Sequence, residues 1–360
     1  MTVLVLRALG LGDALTGVAA LRGVRRAWPG HRVVLAAPGT VGRWLAGLGV
    51  VDAVVPSAGL QRLPWPWSGP GGAADAPGCL AVDLHGRGPE SHRILLATRP
   101  DALVAFDCPG VGHAGPRWDD AEHEVLRWCR LVRGVGGDCG PEDLRLDATD
   151  PAGRRPGHEA DRAGVVVHPG AAAAARRWPA ARWGRVVSVL AARGHHVTLT
   201  GSPAEERLCA QVRRAAALGG ADGAVQDVSG RLDLPALARL VGQAQLLVSG
   251  DTGVAHLATA YGTPSVTLFG PTPPARWGPV IDQHRHAVLW FGDEDAPPGD
   301  PHAGRLDPVL ARIGVEHVVA ACEEMLSRPL VPANGTRTPS GTGRPATRPG
   351  APSPGRTARG

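Results

Sequence analysis

Residues 245–270, QLLVSGDTGVAHLATAYGTPSVTLFG, run through a buried strand, a polar turn at Ser249–Gly253, a helix and a second strand at Ser265–Phe269. That succession is the repeating unit of α/β folds, in which helices cover a sheet between successive strands. The turn carries Asp251, Thr252 and Gly253. His256 follows Thr252 by four residues, about one helical turn, so hydroxyl and imidazole share a face. A helix N-terminus offers unpaired N–H groups and the positive end of the helix dipole. With a hydroxyl, a glycine and an imidazole beside it, this one suits a diphosphate.

The same alternation fills the chain twice. In the first block, strands are expected at Thr2–Arg7, Arg32–Ala37, Val51–Val55, Cys79–Leu84 and Ala102–Phe106. Helices are expected at Asp13–Ala27, Val41–Leu48, Pro89–Ala97 and Ala121–Val132. Pro56–Gly78, a Pro- and Gly-rich loop with Trp65 and Trp67, is long for a compact domain. The polar segment Asp147–Arg162 marks a domain boundary. The pattern restarts with strands at Val165–His168 and His196–Thr200 and helices at Ala180–Ala192, Pro203–Ala217, Leu234–Val241 and Val309–Ser327. The expected organisation is an N-terminal α/β domain over residues 1–150, a C-terminal one over 160–328 and a tail over 329–360. Thirteen of the 32 tail residues are Pro or Gly, a composition that predicts disorder. Two doubly wound sheets bind ligands beyond the carboxyl ends of their strands, and the cleft between two facing domains is the default site.

Composition removes several other fates. No run of about 20 apolar residues is present, as a membrane helix would need. The N-terminus puts Arg7 and Asp13 where a signal core would be apolar, and reads as a first strand. The net charge of +5 comes from the tail, which holds five Arg and no acid and leaves 33 basic and 33 acidic residues in the body. The basic balance is therefore no nucleic-acid footprint. All 38 basic residues are Arg, so a Lys-dependent P-loop is excluded. Cys79, Cys108, Cys129, Cys139, Cys209 and Cys322 form no C-x-x-C pair and read as buried, reduced thiols of a cytosolic protein, not zinc ligands.

Further motifs sit at strand ends. In Gly10-Leu11-Gly12-Asp13 the glycines allow a tight turn and close approach of a ligand. Asp13 reads either as a helix N-cap or as a general base for a hydroxyl. His168-Pro169-Gly170 leads through Ala171–Ala175 to Arg176-Arg177-Trp178-Pro179, where Pro179 suits the first position of a helix. The two guanidiniums read either as a diphosphate clamp or as a solvated basic turn. Gly201–Glu206, GSPAEE, offers Glu205 to the hydroxyls of a ribose, although alone it reads as a helix start with dipole-favoured acids. Asp83-Leu84-His85-Gly86-Arg87 could present Asp83, His85 and Arg87 to an acceptor. Asp293-Glu294-Asp295 reads as a solvated acidic turn, and the run Asp119–Glu124 as an acidic helix start.

Taken in order, Gly12-Asp13, HPG…RRWP, GSPAEE and SGDTGVAHLATAYGTPSVTLFGPT resemble glycosyltransferase family nine, the heptosyltransferases of lipopolysaccharide core assembly, over roughly residues 1–325. The resemblance implies a GT-B fold of two Rossmann-like domains facing a cleft, with the donor held mainly by the C-terminal domain and with no essential metal or cofactor. It places Asp13 on the general base and Arg176 on a basic residue, usually Lys, that neutralises the departing diphosphate. Glu205 falls on the ribose-binding carboxylate and Leu232 on a residue that packs on adenine. Asp251, Thr252, Gly253 and His256 fall on the donor sugar and diphosphate seat, with Gly12 and Arg177 beside them. Two departures stand out: Arg for Lys at 176, and no hydroxyl in Ala171–Ala175, where the family often has one.

The expectation is a monomeric, inverting, metal-independent glycosyltransferase that moves heptose from ADP-heptose to a hydroxyl of a glycan, glycolipid or small molecule. It would work in the cytoplasm or at the inner face of the cytoplasmic membrane, where the basic tail offers a peripheral contact, and would have no nucleic-acid partner. Two alternatives remain open. One is a nucleotide-sugar-binding protein that has lost catalysis, which the alanine run and Arg176 favour and Asp13 opposes. The other is a nucleotide-sugar epimerase of the same fold.

Overall fold

A computed structural model describes residues 1–65, 79–147, 163–221 and 223–328. Trp67, most of the expected domain boundary and the tail from residue 329 lie outside the described residues.

The first sheet comprises β1 (Thr2–Leu6), β2 (Arg32–Ala37), β3 (Ala53–Pro56), β4 (Cys79–Asp83) and β5 (Ala102–Val104). Its order is β3-β2-β1-β4-β5, with every neighbouring pair parallel. Its helices are α1 (Leu11–Thr16), α2 (Val18–Ala27), α3 (Gly39–Gly47), α4 (Glu90–Leu96) and α5 (Glu124–Arg133). The second sheet comprises β6 (Ala163–His168), β7 (Val197–Leu199), β8 (Val225–Asp227), β9 (Ala244–Gly250), β10 (Ser265–Leu268) and β11 (His286–Leu289). Its order is β11-β10-β9-β6-β7-β8, again parallel throughout. With it go α6 (Ala180–Ala192), α7 (Glu206–Ala217), α8 (Leu234–Gln243), α9 (Gly253–Tyr261), α10 (Pro274–Trp277), α11 (Pro308–Ala311) and α12 (Val315–Ser327).

Each sheet is wound outward in both directions from its first strand. The strand order therefore reverses beside β1, between β1 and β4, and beside β6, between β6 and β9. The loops leaving two such strands diverge to opposite faces and open a crevice at the carboxyl edge. Strand alternation sorts the core around these sheets. Leu4 and Leu6 join one apolar cluster with Val55 and Leu95, while Val3 and Val5 join another with α1, α2 and α5. In β6, Val165 and Val167 pack among Trp183, Leu190 and Cys322 of the far layer. Val166 faces the other way, into the cluster that holds Val3 and Val5. That cluster also takes in Ala238, Val241, Val254, Leu257 and Ala258 of α8 and α9, so one apolar core runs from the first sheet's helices into the second's. Polar ties reinforce it: Leu146 N donates to Ala260 O at 2.9 Å, and Arg145 Nη2 donates to Asp282 Oδ1 at 3.0 Å.

Several elements differ from the sequence reading for local reasons. The expected helix Asp13–Ala27 is split into α1 and α2 at Gly17, where the Arg7 side chain lies so close that a Cβ would stand 2.7 Å from its Cδ and Nε. The expected helix Val309–Ser327 is likewise split into α11 and α12, with Gly314 as the cap of the second. The helix expected from Ala121 starts at Glu124 because His123 caps it, its ring accepting from Val125 N. Strands β8 and β11 were not expected; with three and four residues, they are too short to display a period.

Candidate active site

The carboxyl ends of the two sheets face a cavity of about 440 Å³. Gly10, Leu11, Gly12 and Asp13 line one wall, and Arg176, Asp251, Thr252, Gly253 and His256 line the other. Ala172, Thr272, Trp277, Pro301 and His302 complete it. The two crevices of strand reversal thus meet in one space, one after β1 and one after β6 and β9.

The walls touch through glycines. A Cβ on Gly253 would lie 2.9 Å from both Gly12 N and Leu11 Cβ, and one on Gly12 would lie 3.1 Å from His256 Cδ2. Bare backbone at both positions lets the start of α1 reach the start of α9.

Asp13 is held from behind by its own helical turn and by groups that its local sequence does not reveal. Its carbonyl accepts from Gly17 N at 3.1 Å, from Thr16 Oγ1 at 2.9 Å and from Arg7 Nε. Arg7 is 1% exposed. Its guanidinium also donates to Leu84 O, to Thr16 Oγ1 at 2.8 Å and to Glu124 Oε1 at 3.1 Å. Glu124 in turn accepts from Trp128 Nε1 at 2.6 Å and from Arg127 Nη1 at 2.5 Å. The acidic run 119–124 is thus not uniformly a solvated helix start, because Glu124 is buried between two arginines. Burial raises the Asp13 carboxyl above its ordinary range; the Arg7 charge opposes the rise and Glu124 adds to it.

On the other wall, burial pushes Asp251 up to about 6, against the pull of Arg176, with a further push from Asp13. Arg176 Nη1 donates to Asp251 O at 3.1 Å. Burial holds His256 down at about 4, so its ring is neutral near pH 7, and it meets the Trp277 ring edge-on at 6.0 Å. Arg176 Nε, Thr252 Oγ1 and Ser249 Oγ are buried with no hydrogen-bond partner among the described residues.

The remaining candidates lie off the cavity. The Arg177 guanidinium turns onto its own loop, donating to Ala171 O at 2.7 Å and Ala172 O at 3.2 Å. Glu205 lies against Gly170, where a Cβ would come within 2.1 Å of Oε1, and its Oε2 accepts from Ser202 N and Oγ at 2.8 Å. Leu232 is half-buried in the segment between β8 and α8. Asp83 is fully buried, contrary to an acceptor-facing position: Oδ1 accepts from His85 N at 2.8 Å, and Oδ2 lies 2.9 Å from His92 Nδ1. Only its neighbours reach outward. His85 is half-buried with Nδ1 accepting from Ala8 N at 3.2 Å, and Arg87 is exposed, 3.7 Å from Asp120. Trp65 is half-buried against the cluster holding Leu4 and Leu6. Asp293, Glu294 and Asp295 are exposed, and no group of three or more His, Cys, Asp or Glu among the described residues is placed to hold a metal ion. The six cysteines are free and buried.

Residues 116–296 match the sequence profile of glycosyltransferase family 9 (heptosyltransferase), half of the chain. The chain belongs to glycosyltransferase family 9. Among curated relatives of this family 9 chain, lipopolysaccharide heptosyltransferase 3 of Escherichia coli is 31% identical over 178 residues, 48% of this chain and 51% of that protein. The chain thus spans about half the length of the curated relatives it matches. Among solved structures, a family 9 glycosyl transferase from Veillonella parvula superposes with a TM-score of 0.69 at 16% identity, over 90% of this chain and 97% of that one. E. coli heptosyltransferase WaaC with ADP gives 0.65 at 20% identity, over 90% and 100%. These neighbours establish the family 9 architecture, the GT-B arrangement of two parallel α/β sheets. No helix among the described residues is long and apolar enough to cross a membrane.

Proposed function

We propose that the protein transfers a sugar, with inversion and without a metal ion, from a nucleoside diphosphate donor to an acceptor hydroxyl, and that the donor is ADP-heptose. The observation that carries this is the meeting of Asp13 with Arg176, Asp251 and Thr252 on opposite walls of one cavity. The donor choice rests on family membership and on relatives named as heptosyltransferases.

A nucleotide fits across the carboxyl ends of the second sheet in strand order. The diphosphate lies at the β6/β9 reversal, against Arg176 and the start of α9. The ribose lies after β7, at Glu205, and the base after β8, at Leu232. Arg177 then shapes the loop beside the phosphates without binding them. The acceptor lies on the β1 side, near His85 and Arg87, with Asp83 setting the His85 backbone from within.

In the reaction, Asp13 takes the proton of the acceptor hydroxyl. The oxygen forms its bond to the anomeric carbon from the face opposite the diphosphate, and the bond from that carbon to the phosphate oxygen breaks. Arg176 and the α9 N-terminus stabilise the charge that develops on the leaving group. Burial suits Asp13 to this role, since a raised pKa makes its carboxylate a stronger base. The neutral His256 ring adds no competing charge beside the sugar.

Incubation of the full chain with ADP-heptose and candidate acceptors, in EDTA, tests the reading by NMR. An inverted glycoside with release of ADP is the expected result. Free sugar alone, no turnover, or conversion of the donor with no acceptor present would each reject it, the last in favour of an epimerase.

A further inference from the structure

The diphosphate wall is short of side-chain donors. Ala171–Ala175 carry no polar side chain, and the N–H of Ala175 is committed to Ala303 O at 3.0 Å. Arg177 is turned onto its own loop, and His256, held neutral by burial, brings no positive charge. Arg176 is the only arginine among the described residues that line the cavity, and it faces two carboxyls, Asp13 and Asp251, there. Its buried Nε and the buried Thr252 Oγ1 point to a polar ligand, yet a diphosphate carries more oxygens and charge than one guanidinium and one hydroxyl satisfy.

His302 lines the same cavity. Its main chain is fixed: His302 N donates to Asp300 Oδ1 at 2.8 Å, and Ala303 N donates to Asp300 O at 3.2 Å. The segment is pinned on both sides of it. Gly299 N donates to Pro271 O at 3.0 Å, Ala303 O accepts from Ala175 N, and Asp307 N donates to Ala175 O at 3.2 Å. A short turn therefore carries the imidazole to the cavity from the loop partnered with the Arg176 loop. The ring itself is exposed and enters no hydrogen bond or ion pair among the described residues. The ring is thus unpaired on a segment, residues 299–307, whose main chain is held by these five hydrogen bonds.

We propose that His302 is a further side-chain donor to the diphosphate, alongside Arg176 and Thr252, and supplies through a ring N–H the contact that the alanine loop cannot. This rests on the reading of the cavity as a nucleoside diphosphate seat. Titration calorimetry on the full chain tests it, with ADP and with adenosine as probes, for wild type, His302→Ala and His302→Gln. His302→Ala should bind ADP about tenfold more weakly, the size of one hydrogen bond to a charged partner, with adenosine affinity unchanged. His302→Gln keeps an N–H donor and should recover part of the loss. Unchanged ADP affinity in His302→Ala would overturn the assignment. Equal weakening towards ADP and adenosine would do the same, since a disturbed loop would then explain the effect. A wild type that binds adenosine and ADP alike, or neither, would overturn the diphosphate seat itself, a result distinct from failure of His302 alone.

Discussion

On the β1 wall of the cavity, Arg7, Thr16, Glu124, Arg127 and Trp128 are hydrogen-bonded to one another or to main chain, and Asp13 rides on that network. On the β9 wall, Ser249, Thr252 and Arg176 each bury a polar atom with no partner among the described residues. A buried polar atom without a partner costs about 1–3 kcal/mol, so the two walls carry opposite loads. One wall is held together by its own hydrogen bonds and fixes the position of Asp13. The other leaves Thr252 and Arg176 with polar atoms that a ligand in the cavity would satisfy, as the proposed function requires.

The sharpest way to break this contrast is at Asp13. Asp13→Asn should lower transfer by roughly a thousandfold, within the range for loss of a general base, and leave ADP affinity within twofold. Substantial turnover in a discontinuous product assay would remove Asp13 from the chemistry. Next comes the support behind it. Arg7→Leu strands the Glu124 carboxylate with a single arginine, and urea denaturation should show a loss of about 3 kcal/mol whether or not ADP is present. A loss that ADP reversed would mean that the β1 wall also depends on ligand.

The third test is pH. The Asp251 carboxyl ordinarily titrates near 3.8 and is lifted to about 6. A carboxyl with its folded pKa raised favours the fold while protonated, so its contribution is lost as pH rises from about 4 to about 6. Wild type should lose up to about 3 kcal/mol over that window relative to Asp251→Asn, read from denaturation midpoints at each pH. Parallel curves would show that Asp251 is solvated. The smallest effect belongs to Thr252→Val. Its hydroxyl has no partner among the described residues, so the near-isosteric valine should raise the stability of the ligand-free protein by about 1 kcal/mol while ADP affinity falls about fivefold. A marked loss of stability would reveal a cap that the structure does not contain.

The β9 wall was legible in the sequence because its groups are local. Asp251, Thr252, Gly253 and His256 occupy one strand–turn–helix segment, and the spacing of that segment fixes their common face. Asp13 was legible as a choice between cap and base. In the structure Gly10 occupies the cap position and Asp13 lies within the first turn of α1, lining the cavity. The support of the β1 wall was not legible. Arg7 meets Glu124 across 117 residues and Leu84 across 77, and no local pattern encodes such pairings. Glu124 hid within an acidic run. The nearest available signal was Arg127 and Trp128 one turn on, a spacing that places all three on one helix face. Asp83 misled for the opposite reason. A polar residue at a strand's carboxyl end suggests a ligand, but here it faces inward to His92, which the Phe106 carbonyl holds from its other nitrogen at 2.9 Å.

The contact between Gly12 and Gly253 makes the side chain allowed at one position depend on the backbone at another far along the sequence. A methyl group on Gly253 would press on the Gly12 amide, and only a retreat of the opposite wall could make room for it. An experimenter can use the same fact as a shim: Gly253→Ala would prop the cleft ajar by one carbon atom.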